Sequence, residues 1–223
     1  MTDNSLSSDI SAIQIKLQYL HYKSLKINEE INRIRSIKFP NPKCPESITA
    51  KGEFSFCAID IISLFEGYNS LANNVLNDKF IARNLRPDLK LQIEEIKDLT
   101  NNWKHVRNKI GGHLDIKVIK SFCDRYAYRG VFITDYLEAD FKGVILLQMI
   151  ESAINNTLSK SHLFEKEINL ISFEGLEIFL TKINEDWKKC FQLYSALFSF
   201  LYEIGKNEKM NQIGRNEGGI IKF

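Results

Sequence analysis

Apolar side chains recur along this chain at three- and four-residue steps, the spacing at which an α-helix stacks side chains on one face. In the first run Ile10, Ile13, Leu17, Leu20, Ile27, Ile31 and Ile34 form a heptad-like stripe interrupted by Ser24, which predicts a helix over about residues 9–37. Phe39-Pro40-Asn41-Pro42 ends it, and Pro45 and Gly52 predict a loop up to residue 52. A second helix is predicted over 53–77, where Phe54, Cys57, Ala58, Ile61, Leu64, Phe65, Tyr68 and Leu71 crowd one side. Asp60 and Glu66 are carboxylates close to that apolar face, read as exposed flanks or as partners that orient a nearby arginine.

Arg86-Pro87-Asp88 has the form of a helix start, with proline first and an acid in the first turn. The third helix then carries Leu89, Ile93, Ile96, Leu99, Trp103, Val106 and Ile110 on one face and stops at Gly111-Gly112, since glycine accepts the left-handed geometry of a helix end. The pattern weakens over 114–136, where 116–126 fits a short helix and 127–134 a strand or loop. A fourth long helix fits 136–158, and a last one starts at Ser172, an N-cap, and holds phase to Gly205. The chain therefore reads as an all-α bundle of four to five main helices, with a possible short insertion after the third. A disordered start (1–9), one domain (10–204) and a flexible tail (205–223) complete the expected organisation.

Composition narrows the class. Four prolines and eleven glycines in 223 residues favour helices over a turn-rich sheet protein. No apolar run approaches the roughly 20 residues needed to span a bilayer, and the start has neither a basic nor an apolar signal region. Cys44, Cys57, Cys123 and Cys190 form no Cys-x-x-Cys pair, which suits reduced thiols in a cytoplasmic protein. Neither the cysteines nor His21, His105 and His162 have ligand spacing, so no metal is expected; no phosphate loop or dinucleotide fingerprint points to a cofactor. The net charge of +2 is too small to mark a general nucleic-acid binder, but its distribution is uneven. Between positions 79 and 129 twelve lysines and arginines face six carboxylates, which leaves the rest of the chain acidic.

The centre of that basic stretch is Trp103-Lys104-His105-Val106-Arg107-Asn108-Lys109-Ile110-Gly111-Gly112-His113. On an unbroken helix six residues turn His113 by about 240° from Arg107 and lift it about 9 Å. The glycine pair removes this restriction, so the imidazole can swing back toward the guanidinium. Together the two groups suit chemistry at phosphate: a guanidinium holds two oxygens at once, and an imidazole gives or takes a proton near neutral pH. Lys104 and Lys109 add positive charge beside them. A plainer reading of the same residues makes His113 a helix cap and Arg107 half of a surface ion pair.

At these residues the chain resembles the HEPN superfamily, whose proteins include ribonuclease toxins and abortive-infection effectors. Their motif is an arginine followed by Asn, Asp or His, with a histidine after four to six intervening residues; Arg107-Asn108-Lys109-Ile110-Gly111-Gly112-His113 fits it. The resemblance extends to the helical plan but identifies no subfamily. It implies metal-independent cleavage of RNA in a cleft shared by two protomers of a homodimer, leaving a 2′,3′-cyclic phosphate. Arg107 would hold the scissile phosphate, His113 would move protons, and Asn108 would orient the pair or touch the phosphate; Lys104 and Lys109 are the expected RNA contacts. Single-stranded or loop RNA is the expected substrate, since a flexible backbone reaches in-line geometry. Phage defence or a toxin–antitoxin pair, with an antitoxin or other neighbouring-gene partner, is the implied setting. The alternatives are a non-catalytic helical binding or scaffold module, and an antitoxin or immunity subunit.

Overall fold

The stripe that predicts the first helix is buried along its length, from Ile10 to Ile34, in helix α1 (Asp3–Ser36). The computed structural model describes residues 3–36, 45–110, 116–125, 139–158, 163–207, 215–216 and 219–220. Among them the architecture is an all-α bundle: after α1 come α2 (Pro45–Asn77), α3 (Lys79–Asn84), α4 (Pro87–Ile110), α5 (Ile116–Arg125), α6 (Ala139–Asn155) and α7 (Phe173–Asn207). Two-residue strands β1 (Arg215–Asn216) and β2 (Gly219–Ile220) pair antiparallel within the expected flexible tail. No helix among the described residues is long and apolar enough to cross a membrane.

Helix α2 lies at the centre, packed on α1, α4 and α6, while α7 closes against α1, α4 and α2. That position explains its broad apolar surface: Ile61, Ile62, Leu64, Phe65, Tyr68, Leu71 and Val75 are all buried. Each such side chain contributes about 2 kcal/mol by leaving water. Ser24 interrupts the α1 stripe because its hydroxyl accepts the indole N–H of Trp187 on α7 at 2.5 Å, so the polar residue is buried and partnered. Next to it His21 stacks on Tyr194, with ring centroids 4.1 Å apart.

Several boundaries differ from the predicted ones. Helix α1 begins at Asp3, so the expected disordered start is helical from that residue. Pro45 opens α2 instead of breaking the chain, because its missing N–H is no loss in a first turn; α2 therefore runs through Gly52. Helix α3 has no counterpart in the hydrophobic pattern. Its start is set by Asp78, whose carboxylate accepts from the N–H groups of Phe80 and Ile81. Helix α5 matches the expected short helix, whereas the strand-or-loop segment 127–134 lies outside the described residues. Helix α7 passes Gly205 to Asn207. Its N-cap is as expected, with the Ser172 hydroxyl accepting from Gly175 N–H at 3.1 Å.

Polar groups on α6 hold the connection into α7. The buried Asn155 side chain exchanges two hydrogen bonds with the backbone of Ile168, and the buried Glu151 carboxylate accepts from Leu170 N–H at 2.7 Å. Arg125 on α5 adds ion pairs to Glu151 at 3.7 Å and Glu167 at 3.2 Å. These bonds tie α5, α6 and the connection together beside the end of α4.

Candidate functional site

Helix α4 presents the candidate motif because its inner face is anchored on both sides of it. Trp103, Val106 and Ile110 are buried, and Trp103 donates its indole N–H to Asp186 on α7 at 2.7 Å. The Asp186 carboxylate is almost wholly buried and also takes Lys182 Nζ at 2.8 Å, so both of its oxygens are engaged. Phe65, Phe164 and Phe179 pack their rings around the indole. The last turn of α4 is therefore held at a fixed depth in the bundle, and what projects from its outer side is set by helical phase.

Arg107 leaves that turn toward α2. Its guanidinium forms an ion pair with Glu66 at 2.8 Å, and the two side chains are 35% and 41% exposed. At that exposure the pair contributes about 0–1 kcal/mol to stability, so it orients the arginine more than it secures the fold. The orienting role weighed for Glu66 is thus present in the contact itself. Asp60 is exposed, with no ion pair to Arg107. Asn108 is exposed, and its Oδ1 accepts from Arg107 Nη1 at 3.4 Å, a long bond. Lys104, also exposed, lies one turn earlier on the same outer side. Gly111, Gly112 and His113 lie outside the described residues, so the expected meeting of His113 with Arg107 does too.

Lys109 stands apart from Arg107. Two helical steps turn it about 200° around the axis, and with His105 and Asn108 it borders a cleft between α4, α5 and the end of α6. The two lysines expected to bind RNA thus occupy different flanks of α4, with Asn108 between them, in contact with Arg107 and on the edge of the cleft. His105, which has no ligand spacing in the sequence, is half-buried in the cleft wall. The walls supplied by α5 and α6 escaped sequence reasoning, because no local spacing links residues on three separate helices.

Among the described residues no group of three or more His, Cys, Asp or Glu is arranged to hold a metal ion. Cys57 is buried with its pKa pushed up to about 11 by burial first and by nearby carboxylates second, and burial also raises Cys190. The aromatics of α7 divide, with Phe191, Phe198 and Tyr202 exposed and Tyr194 and Phe200 packed against the core. Comparison with protein-family models, with curated proteins and with solved structures finds no match for the chain.

Proposed function

We propose that the chain is a metal-independent endoribonuclease of HEPN type, acting as a homodimer in which the motifs of two protomers share one cleft. The observation that supports it most is the setting of Arg107: a part-exposed guanidinium on the last turn of a firmly anchored helix, one residue from Asn108 and held by Glu66. In the proposed reaction Arg107 exchanges Glu66 for the scissile phosphate and stabilises the charge that builds on its oxygens. His113 moves the protons: one leaves the ribose 2′-hydroxyl as its oxygen attacks phosphorus, and one reaches the departing 5′-oxygen. The phosphorus–5′-oxygen bond breaks, giving a 2′,3′-cyclic phosphate and a 5′-hydroxyl. Asn108 keeps the guanidinium in register, and Lys104 and Lys109 contact the flanking backbone. A cytoplasmic role in phage defence or a toxin–antitoxin pair, with single-stranded or loop RNA as target, goes with this reading. Incubating the protein with single-stranded RNA in excess chelator tests it: cyclic phosphate ends support the enzyme, and dependence on added divalent metal counts against it.

The Arg107–Glu66 ion pair also favours a second reading, a non-catalytic helical binding module such as an antitoxin or immunity subunit. There the arginine is a structural partner of α2, the protein leaves RNA intact, and Arg107→Ala changes nothing beyond a small loss of stability.

A further inference from the structure

Helices α1 and α7 meet along a seam closed on its inner side by the Ser24–Trp187 bond, the His21–Tyr194 stack and a bond from the Tyr194 hydroxyl to Gln18. Its outer side is left to solvent. Ile15, Tyr19 and Tyr22 stand in one row on α1, each at least 60% exposed, and Phe191, Phe198 and Tyr202 form a second row on α7, 38–45% exposed. Both rows keep helical spacing, so each presents one side of its helix. Tyr194 braces the second row, its ring 6.0 Å from those of Phe191 and Phe198. Between the rows a groove of about 420 Å³ is lined by Leu25, Trp187 and Phe191, with Ser24 at its base.

Charge is sparse on this face. No lysine, arginine, aspartate or glutamate occurs between Lys189 and Glu203 on α7. Between Asp9 and Lys23 on α1 the one charged residue is Lys16, which turns to Ser70 of α2 at 2.7 Å. Ser195 and Ser199, between the α7 rings, donate their hydroxyls back to the carbonyls of Phe191 and Ser195 and need no partner from outside. A base-stacking platform for RNA needs cations along its rows, and these rows carry none.

The area suits a protein partner. At about 200 Å² for a large side chain, the exposed parts of the two rows and Leu25 amount to roughly 700 Å². Monomers rarely leave more than roughly 300–600 Å² of contiguous apolar surface open, whereas a stable interface takes about 800 Å² from each partner. The exposed Gln18, Gln192, Ser195 and Ser199 among the rings extend the apolar area toward that value. A twofold contact sets a patch against itself, so a strongly charged patch repels its copy and an uncharged one does not. The patch must also hold both a projection and a recess, and here the projecting tyrosines of α1 flank the groove.

We infer that the α1–α7 face is the docking surface for a second copy of this chain, packed about a twofold axis with aromatic rows and grooves interlocked. The inference does not rest on the ribonuclease reading. Arg107 and Glu66 belong to α4 and α2, which do not form this face, so the contact is additional to one that joins two motifs. Rings already stacked in the free chain lose little freedom on docking, which favours a tight contact for its area.

The test is sedimentation velocity of the full chain from about 1 to about 100 µM, the weak end of the range for an interface of this size, with acrylamide quenching of tryptophan emission on the same samples. Of the two tryptophans Trp103 is wholly buried and Trp187 borders the groove, so quenching reads the groove. Wild-type protein is expected to associate as concentration rises and its quenching to fall in step. Phe198→Asp is expected to raise the dissociation constant at least about a hundredfold by setting like charges against each other across the axis. Tyr22→Asp, at a more exposed position on the other helix, is expected to do the same with helical content unchanged, which covers the case of a Phe198 variant that misfolds. Leu91→Asp, an exposed apolar residue on α4 outside the face, is expected to behave as wild type. A wild type that stays monomeric at the highest concentration overturns the inference, since the face is then empty or covered by another segment or partner. Association that survives both aspartate variants with quenching independent of concentration also overturns it, because the copies then meet elsewhere. An equal loss for Leu91→Asp overturns it too, as the mark of unspecific apolar aggregation. RNA cleavage is scored separately and has no bearing on these outcomes.

Discussion

Trp103 on α4 gives its indole N–H to Asp186 on α7, 83 positions later, and this buried bond fixes the helix turn from which Arg107 projects. Removing the carboxylate in Asp186→Ala strands both the indole N–H and the Lys182 ammonium. The expected cost is about 3 kcal/mol, less for Asp186→Asn, which keeps an acceptor for Trp103. Thermal melts check this: for a chain of this size the alanine variant should lose roughly 6–12 °C. A melt within a degree of wild type would show that the bond does not anchor α4.

Glu66→Gln addresses the other side of the motif. The Glu66–Arg107 pair is half exposed, so the substitution should change stability by less than about 1 kcal/mol. Its effect on ligand is expected to be larger, because a carboxylate that competes with phosphate for the guanidinium is gone. Affinity for a non-cleavable RNA should rise severalfold, measured by fluorescence anisotropy. Unchanged affinity would mean that Arg107 does not meet phosphate.

How much of this was readable beforehand depends on the range of the interaction. Pro87 and Ser172 announce their helices because start signals act within three or four residues. The α1 stripe gives the buried face of that helix correctly, since burial follows phase. Asp78 was also a local signal, but α3 is too short to carry a hydrophobic period. Ser24 looked like a defect until Trp187 met it from α7, and the Glu66 contact could be raised only as one option for a carboxylate near an apolar face. Ser121 and Asn156 gave no sign of sharing a cleft with His105, because that depends on how α4, α5 and α6 pack.

Two glycines make a paired test of the packing. A Cβ at Gly175 would collide with the backbone of Asn169, which has no room to yield, whereas at Gly67 it would meet only the end of the Leu20 side chain, which can rotate. Gly175→Ala should therefore destabilise by about 2 kcal/mol or more and Gly67→Ala by clearly less, read from urea titrations. The reverse order would contradict the placement of the connection before α7.

Thiol labelling at pH 8 probes the core from a different direction. A raised pKa keeps a thiol protonated and unreactive, and Cys57 and Cys190 are both buried and raised, while Cys123 is partly exposed. Peptide mapping of alkylated native protein should find Cys123 modified well before Cys57 and Cys190, which should react only on unfolding. Cys190 labelled as fast as Cys123 would contradict the α7 packing.

The ribonuclease chemistry is tested by cleavage of single-stranded RNA in excess chelator by the wild-type protein, Arg107→Ala and His113→Ala, with helicity followed in parallel. The expected result is 2′,3′-cyclic phosphate products from the wild type, a loss of at least about a hundredfold in either variant, and unchanged helical content in all three. Intact RNA with the wild type, or equal cleavage by all three proteins, would contradict it.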